Sequence, residues 1–176
     1  MMRARIPVLI VSGPVGVGKT SVVHEMFDQL SNRDISHAVI DLDGLSICWP
    51  VGENDPFNER MAMRNLAAIW SNFAAAGVDR AIIARVVESR ADLAEYEQAI
   101  RGAEIQVCQL TAEVAVLRER VGRREVGSSY EPLVCRAAEL AESLERSGAA
   151  DFAVQTDGRP LADIAIEALV KAGWLD

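Results

Sequence analysis

The stretch VLIVSGPVGVGKTSVV, Val8 to Val23, decides how this chain is read. Its first half belongs to a short, β-branched apolar run from Pro7 to Ser12, which suits a strand buried on both faces of a parallel sheet. Its second half matches the spacing G-x-x-x-x-G-K-[ST] from Gly13 to Thr20. Glycines at those positions let successive backbone N–H groups converge on phosphate oxygens. A helix beginning near Gly18 aims its N-terminal amides and positive dipole end at the same anion. Gly13, Pro14, Val15, Gly16, Val17, Gly18, Lys19, Thr20 and Ser21 then surround the phosphates, with Lys19 on the outer ones and the Thr20 hydroxyl on Mg²⁺. With glycine at about 7% of residues, a chance match in a chain of this size has odds below about 1%. The plain alternative is a glycine turn that happens to precede a lysine.

Outward from this loop, strand-length apolar runs alternate with segments of helical period. Val22, Val23, Met26, Phe27 and Leu30 share one helix face. His37 to Leu42 reads as a second strand. Asn58 to Ala76 reads as a helix with Leu66, Ile69, Trp70 and Phe73 inward and Gly77 as its stop signal. Arg80 to Val87 is the third strand, and Leu93, Tyr96 and Ile100 mark the next helix. Ile105 to Leu110, a charged helix over Glu113 to Arg123, a helix from Pro132 to Ser147 and a strand from Phe152 to Gln155 follow. Pro160 opens a closing helix with Ile164, Ala168 and Leu169 on one side. Such alternation predicts an α/β fold of three layers, with a five-stranded parallel sheet and helices on both faces. Residues 1–176 are expected to form one domain. Ligands of such sheets sit beyond the carboxyl ends of the strands. The loops of interest are therefore Gly13 to Lys19, Asp43 to Asn58, Glu88 to Asp92, Thr111, and Thr156 to Pro160.

A net charge of −8 argues against a nucleic-acid partner, which would need a basic surface. Cys48, Cys108 and Cys135 are odd in number and far apart, matching neither a disulfide framework nor a zinc spacing. A cytoplasmic setting is expected, with Cys108 as a small core residue. No run reaches the roughly 18 apolar residues of a membrane span, and Met1 to Ile6 reads as too short and charged for a signal peptide.

The second strand ends in Ile40-Asp41-Leu42-Asp43-Gly44-Leu45. If the strand continues that far, alternation points both carboxylates into the cleft beside the phosphate loop. A carboxylate there accepts a proton from an attacking hydroxyl or holds the metal's water shell. Asp43 is the first choice for the base and Asp41 the second, with Asp41 also assigned to the metal beside Thr20. An ordinary Asp-Gly turn with solvated acids is the alternative.

At this point the chain resembles the small P-loop kinases, such as the shikimate, gluconate and adenylylsulfate kinases, with chloramphenicol phosphotransferase and the tunicamycin-resistance protein more similar still. The resemblance follows the element order along the whole chain. It rests on Gly13 to Thr20, Asp41 to Leu45, the arginine segment Leu117 to Glu125, and Val154-Gln155-Thr156-Asp157-Gly158. It implies that the arginine segment is a lid, about residues 118–131, which closes over ATP and brings guanidinium groups to the migrating phosphoryl. Arginine stays charged and offers a planar fork to phosphate oxygens. Arg120 and Arg124 lie one helical turn apart on one face and are assigned to the phosphates, while Arg118 and the pair Glu119 and Arg123 suit a solvated helix face. Gly122 and Gly127-Ser128-Ser129 offer give for closure. The resemblance also implies that Thr156 and Gly158 lie against the adenine ring, although a turn ahead of Pro160 explains these residues as well.

The chain departs from the pattern in its third strand, Ala81-Ile82-Ile83-Ala84-Arg85-Val86-Val87, which carries Arg85 where an acid would sit. An arginine in a buried strand needs an anionic partner: either Asp41 or Asp43, or a ligand in the cleft. Without that acid a hydrolytic motor lacks a group to arrange metal and water, which favours transfer. Between the second strand and the next helix, Trp49 and Phe57 either wall an acceptor pocket, with Arg60 or Arg64 reading an anionic group, or cap the core. The expectation is an ATP-dependent, Mg²⁺-using kinase of a small hydroxyl-bearing molecule (antibiotic, sugar or nucleoside), monomeric or homodimeric. The alternatives are a nucleotide-binding module and a simple NTPase.

Overall fold

A computed structural model of the protein describes residues 5–124 and 130–176, and the side chains of these apart from residues 124–136. Five strands form one parallel sheet: β1 (Ile6–Ser12), β2 (Ala38–Asp41), β3 (Ala81–Ala84), β4 (Ala103–Thr111) and β5 (Phe152–Gln155). Their order across the sheet is β2-β3-β1-β4-β5, so the phosphate loop leaves the central strand. The helices are α1 (Lys19–Ser31), α2 (Glu59–Ala75), α3 (Leu93–Ala99), α4 (Val114–Arg124), α5 (Tyr130–Ser147) and α6 (Leu161–Lys171).

Side-chain alternation along β1 divides the core in two. Leu9 and Val11 pack with Val23, Met26 and Leu30 of α1 and with Ala165 and Leu169 of α6. Val8 and Ile10 face the other way, toward Leu66 and Trp70 of α2 and Tyr96 of α3. Burial on both faces is why these strands read as unbroken apolar runs rather than alternating ones. Val17, between the glycines of the loop, is 1% exposed and belongs to the α1 side of the core, so its side chain anchors the loop. Trp70 is buried, and Trp174 lies under the Arg80 guanidinium at 5.4 Å from the ring centroid. Cys108 is fully buried, and burial pushes its thiol up to about 12.

Two expectations about strand ends are corrected. The third strand stops at Ala84, so Arg85 is not a mid-strand residue. The strand ends where the charge begins: the Arg85 N–H still reaches the Val11 carbonyl at 3.3 Å, while its guanidinium turns to Asp43. The second strand stops at Asp41, and Asp43 has helical dihedrals (φ −62°, ψ −40°) at the head of a short 3₁₀ turn over Gly44–Ser46. Strand alternation therefore does not apply to the two aspartates. Among the described residues, no helix is long and apolar enough to cross a membrane.

Candidate functional site

The phosphate loop is shaped by contacts that exclude side chains. Gly13 has φ +146°, and a Cβ there would stand 2.7 Å from the Leu110 carbonyl oxygen. Gly16 has φ +83°, and a Cβ would meet Val121 Cγ2 at 2.9 Å and the Leu117 carbonyl at 3.1 Å. Both positions need glycine for conformation and for space, and Gly16 ties the loop closely to α4. The Ser12 hydroxyl accepts the Val87 N–H at 3.0 Å, which fastens the end of β1 to the segment leaving β3.

Lys19 lies over its own loop, donating from Nζ to the carbonyls of Gly13 (2.8 Å) and Pro14 (3.3 Å). On the first turn of α1, Thr20 Oγ1 donates to Asp41 Oδ2 at 2.8 Å. A hydroxyl and a carboxylate oxygen brought together at a phosphate loop fit Mg²⁺, which takes one or two protein oxygens and completes its shell with water and phosphate. The two residues expected to hold metal therefore meet.

Asp43 turns elsewhere. Its Oδ1 accepts from Arg85 Nη1 at 2.7 Å, and Arg85 also approaches the Ser46 hydroxyl at 3.4 Å and Glu59 Oε1 at 3.8 Å. Of the partners open to Arg85 from sequence, Asp43 is the one it takes. The pair lines a cleft of about 530 Å³ together with Glu59, Glu88, Asp92, Glu95 and Tyr96. That volume is within the range of small-molecule sites, about 300–1,000 Å³. Burial pushes the Tyr96 phenol well above its ordinary range; Arg85 opposes this, while Asp92, Asp43 and Glu59 add to it.

The flank of the loop opposite β2 is closed by Arg120. Its guanidinium donates to the Val17 carbonyl (3.1 Å), the Thr156 hydroxyl (2.9 Å) and the Thr156 carbonyl (3.2 Å). Three segments singled out from sequence (phosphate loop, arginine helix and the loop after β5) are thus joined by one side chain. Arg123 pairs with Glu119 across one turn, as a solvated face would. The side chain of Arg124, and Gly127, Ser128 and Ser129, lie outside the described residues. Gly158 turns the loop after β5 with φ +64°. That loop is braced by Arg159, which reaches the Gln155 carbonyl at 3.0 Å and Glu167 at 2.7 Å.

Glu167 is held below the usual carboxylate range, chiefly by the Lys171 hydrogen bond, against desolvation, with help from Arg159. A depressed carboxyl stabilises the fold above its unfolded-state value, and the contribution is lost as pH falls through the folded-state value. Glu167→Gln is accordingly expected to lower stability by about 0.5–1 kcal/mol at pH 7. In urea unfolding, the gap to the parent protein should close as pH drops below the ordinary carboxylate range.

The acceptor-side expectations are met unevenly. Phe57 lines the cleft but is 72% exposed, and Trp49 is 86% exposed and outside it, so neither ring caps the core. Arg60 and Arg64 do not line the cleft; Arg85 does. Sequence reasoning missed Glu59, Glu95 and Tyr96. Tyr96 shows only as a core position in the helical period, and the acidic residues carry no motif. The loop from Glu88 to Asp92, which delivers two of the lining carboxylates, was marked only by its place after a strand.

No protein-family model matches the chain, and no functionally curated protein matches it by sequence. Solved structures do. The tunicamycin resistance protein of Deinococcus radiodurans superposes with a TM-score of 0.67 at 21% identity, over 98% of each chain. A gluconokinase from Sinorhizobium meliloti 1021 gives 0.62 at 22% identity, over 97% of this chain and 94% of its own. A sugar kinase from Janibacter sp. HTCC2649 gives 0.59 at 20% identity, over 95% and 94%. At these identities the likeness is one of fold: the three-layer α/β P-loop fold that the element order predicts, shared with small kinases.

Proposed function

We propose that this protein is an ATP-dependent small-molecule kinase that transfers the γ-phosphoryl group of ATP to a hydroxyl acceptor. The observation that carries the reading is the divergence of two neighbouring aspartates: Asp41 meets Thr20 at the phosphate loop, and Asp43 faces the adjoining cleft. A second pocket with a carboxylate in it gives a hydroxyl acceptor a place to bind and a group to take its proton, which supports transfer over binding alone.

In this reading the loop amides and Lys19 hold the triphosphate, and Thr20 and Asp41 hold Mg²⁺. The metal, when bound, supplies charge neutralisation between the outer phosphates and fixes their orientation. Asp43 accepts the acceptor's hydroxyl proton at Oδ2, because Oδ1 is taken by Arg85. The acceptor oxygen then bonds to the γ-phosphorus as the bond from that phosphorus to the β-bridging oxygen breaks, and ADP leaves. Arg85 fixes the orientation of Asp43 as a positioning residue. Arg120 keeps a permanent charge beside the loop for the migrating phosphoryl, with Arg124 one turn further along the helix. Thr156 and Gly158 face the base of the nucleotide. The likeness in fold to a gluconokinase and a sugar kinase supports a small-molecule acceptor.

The test is ADP release from Mg-ATP with and without sugars, nucleosides and hydroxylated antibiotics. Release stimulated by an acceptor, with phosphate recovered on it, supports the reading. Release that no acceptor alters favours a simple NTPase, and ATP bound without release favours a binding module. Arg120→Ala should lower kcat/KM about 10- to 100-fold, as expected for removing charge-assisted hydrogen bonds of about 1.5–3 kcal/mol. Steady-state kinetics beside a thermal unfolding control checks this.

A further inference from the structure

We propose that the acceptor of this kinase carries a large apolar portion, aromatic or acyl, beside the hydroxyl that is phosphorylated, and that Ile47, Trp49 and Phe57 receive it. The proposal rests on the kinase reading and names the class of its substrate.

The starting point is where the molecule leaves apolar surface uncovered. Trp49 is 86% exposed, Ile47 85% and Phe57 72%, while no other large apolar side chain among the described residues exceeds 46%. A single exposed apolar residue is ordinary on a protein surface. Three in the one segment between β2 and α2 are not, and such concentrations mark ligand or partner sites. The backbone brings the three together. Asn58, 8% exposed, donates from Nδ2 to the carbonyls of Ser46 (2.9 Å) and Cys48 (3.3 Å), which sets Phe57 beside the stretch that carries Ile47 and Trp49.

A second observation concerns what fastens the segment. Leu45 packs on the α2 side of the core, and Asn65 donates to its carbonyl at 2.7 Å. The Asp55 carboxylate accepts the N–H groups of Glu59 and Arg60 at 2.6 and 3.0 Å. Leu45 and these polar bonds hold the segment, so Ile47, Trp49 and Phe57 are not needed as anchors and are presented outward, as side chains of binding loops are.

Position says that the ligand is the acceptor. Ser46 and Phe57, which flank this surface, also line the cleft that holds Asp43. Inside the cleft the apolar surface continues with Met63, Val86 and Leu140. Several of the polar groups there are turned on one another: Asp43 and Glu59 share Arg85, and Asp92 accepts the Ser89 N–H at 2.9 Å. A molecule that offers its hydroxyl to Asp43 therefore extends past Phe57 toward Ile47 and Trp49. A free sugar or sugar acid, hydroxylated along its length, has nothing to set against these side chains. An aromatic or acyl portion gains by covering them, and an aromatic one gains further by stacking on the two rings.

The experiment uses the full chain, Mg-ATP and two series that keep their hydroxyls while the apolar portion grows: methyl, phenyl and octyl β-glucoside, and 3-methoxy-, 3-phenoxy- and 3-octyloxypropane-1,2-diol, all below micelle-forming concentrations. ADP release and phosphate incorporation are measured for each. Binding is measured separately by calorimetry with a non-hydrolysable ATP analogue present. The expected result is a preference of about tenfold or more in kcat/KM for the phenyl or octyl member over the methyl one, the worth of covering one large apolar side chain. Binding should move tryptophan emission to the blue, and Trp49→Phe should remove that shift. Trp49→Ser and Phe57→Ser should each raise KM for the favoured member by about fivefold or more while the KM for ATP stays within twofold, and Trp49→Phe should restore most of the affinity. Efficient transfer to the methyl members with no preference for the larger ones overturns the proposal and leaves the kinase reading intact. So does a preference that neither serine variant weakens. A dimer in sedimentation that Trp49→Ser dissolves also overturns it, because the surface then belongs to a second copy. If no member is phosphorylated, the calorimetry decides: a series in which a larger member binds at least tenfold tighter, and loses that advantage in Trp49→Ser, supports the proposal, and none that does overturns it. Tighter binding of this kind without any transfer counts against the kinase reading alone.

Discussion

Asp43→Asn is expected to bind ATP as the parent protein does and to lose transfer to its acceptor by about 10²- to 10⁴-fold, the usual worth of a positioned general base. Asparagine keeps the shape of aspartate, and its amide oxygen still accepts the Arg85 hydrogen bond seen at 2.7 Å. The carbonyl through which residue 43 holds the Ser46 N–H and hydroxyl is backbone and remains. What disappears is the capacity to take a proton at the second oxygen. The measurement pairs calorimetric ATP binding with kcat on an identified acceptor. Turnover at the parent rate would remove Asp43 from the role of base. A matched loss of ATP affinity would instead place Asp43 with the metal, the role proposed for Asp41, whose Oδ2 accepts from Thr20 at 2.8 Å.

Lys19→Ala is expected to abolish measurable ATP binding, a loss of about 100-fold or more, because deleting one partner of a charged contact costs about 2–5 kcal/mol. Lys19 Nζ already bonds the Gly13 and Pro14 carbonyls at 2.8 and 3.3 Å. Its removal therefore takes away both a charge for the phosphates and two ties within the loop. Ligand-linked stabilisation gives a second readout, since a ligand that binds the folded state raises the melting point by mass action. The parent protein should melt higher with Mg-ATP, and Lys19→Ala should melt at one temperature with or without it. An ATP-dependent shift of parental size in the variant would overturn the role of Lys19.

The layered fold was readable because its signals are local. Leu9 and Val11 pack on one face of the sheet and Val8 and Ile10 on the other, and burial on both faces leaves an unbroken apolar run that no other strand environment favours. The phosphate loop was readable for the same reason, since its motif fills eight consecutive positions, Gly13 to Thr20. Even there, one part was not. Gly16 is required partly because Val121 and Leu117 of a distant helix press against it, and Val17 is an anchor because the core receives it.

The acceptor side was legible only in fragments. Asp43 was read as a base and Arg85 as a charge in need of Asp41, Asp43 or a ligand, but which of these it takes depends on a contact across 42 positions of sequence. Arg120 and Thr156 meet across 36. Such contacts depend on which strand neighbours which, and β2 pairs with β3 through a crossover whose result no local pattern states. Strand ends mattered as much. Extending β2 through Asp43 would have sent both aspartates the same way, whereas a helical backbone at residue 43 separates them.

By itself, then, the chain's sequence determined a parallel α/β sheet and a loop for phosphate, because backbone conformation and two-sided burial are written in neighbouring residues. Only the tertiary structure decided that Asp41 belongs with Thr20 and Asp43 with Arg85, and that Tyr96 and five carboxylates from separate elements share one cleft. Electrostatic partners act through space, over a few ångströms, and the folded sheet alone brings them that close.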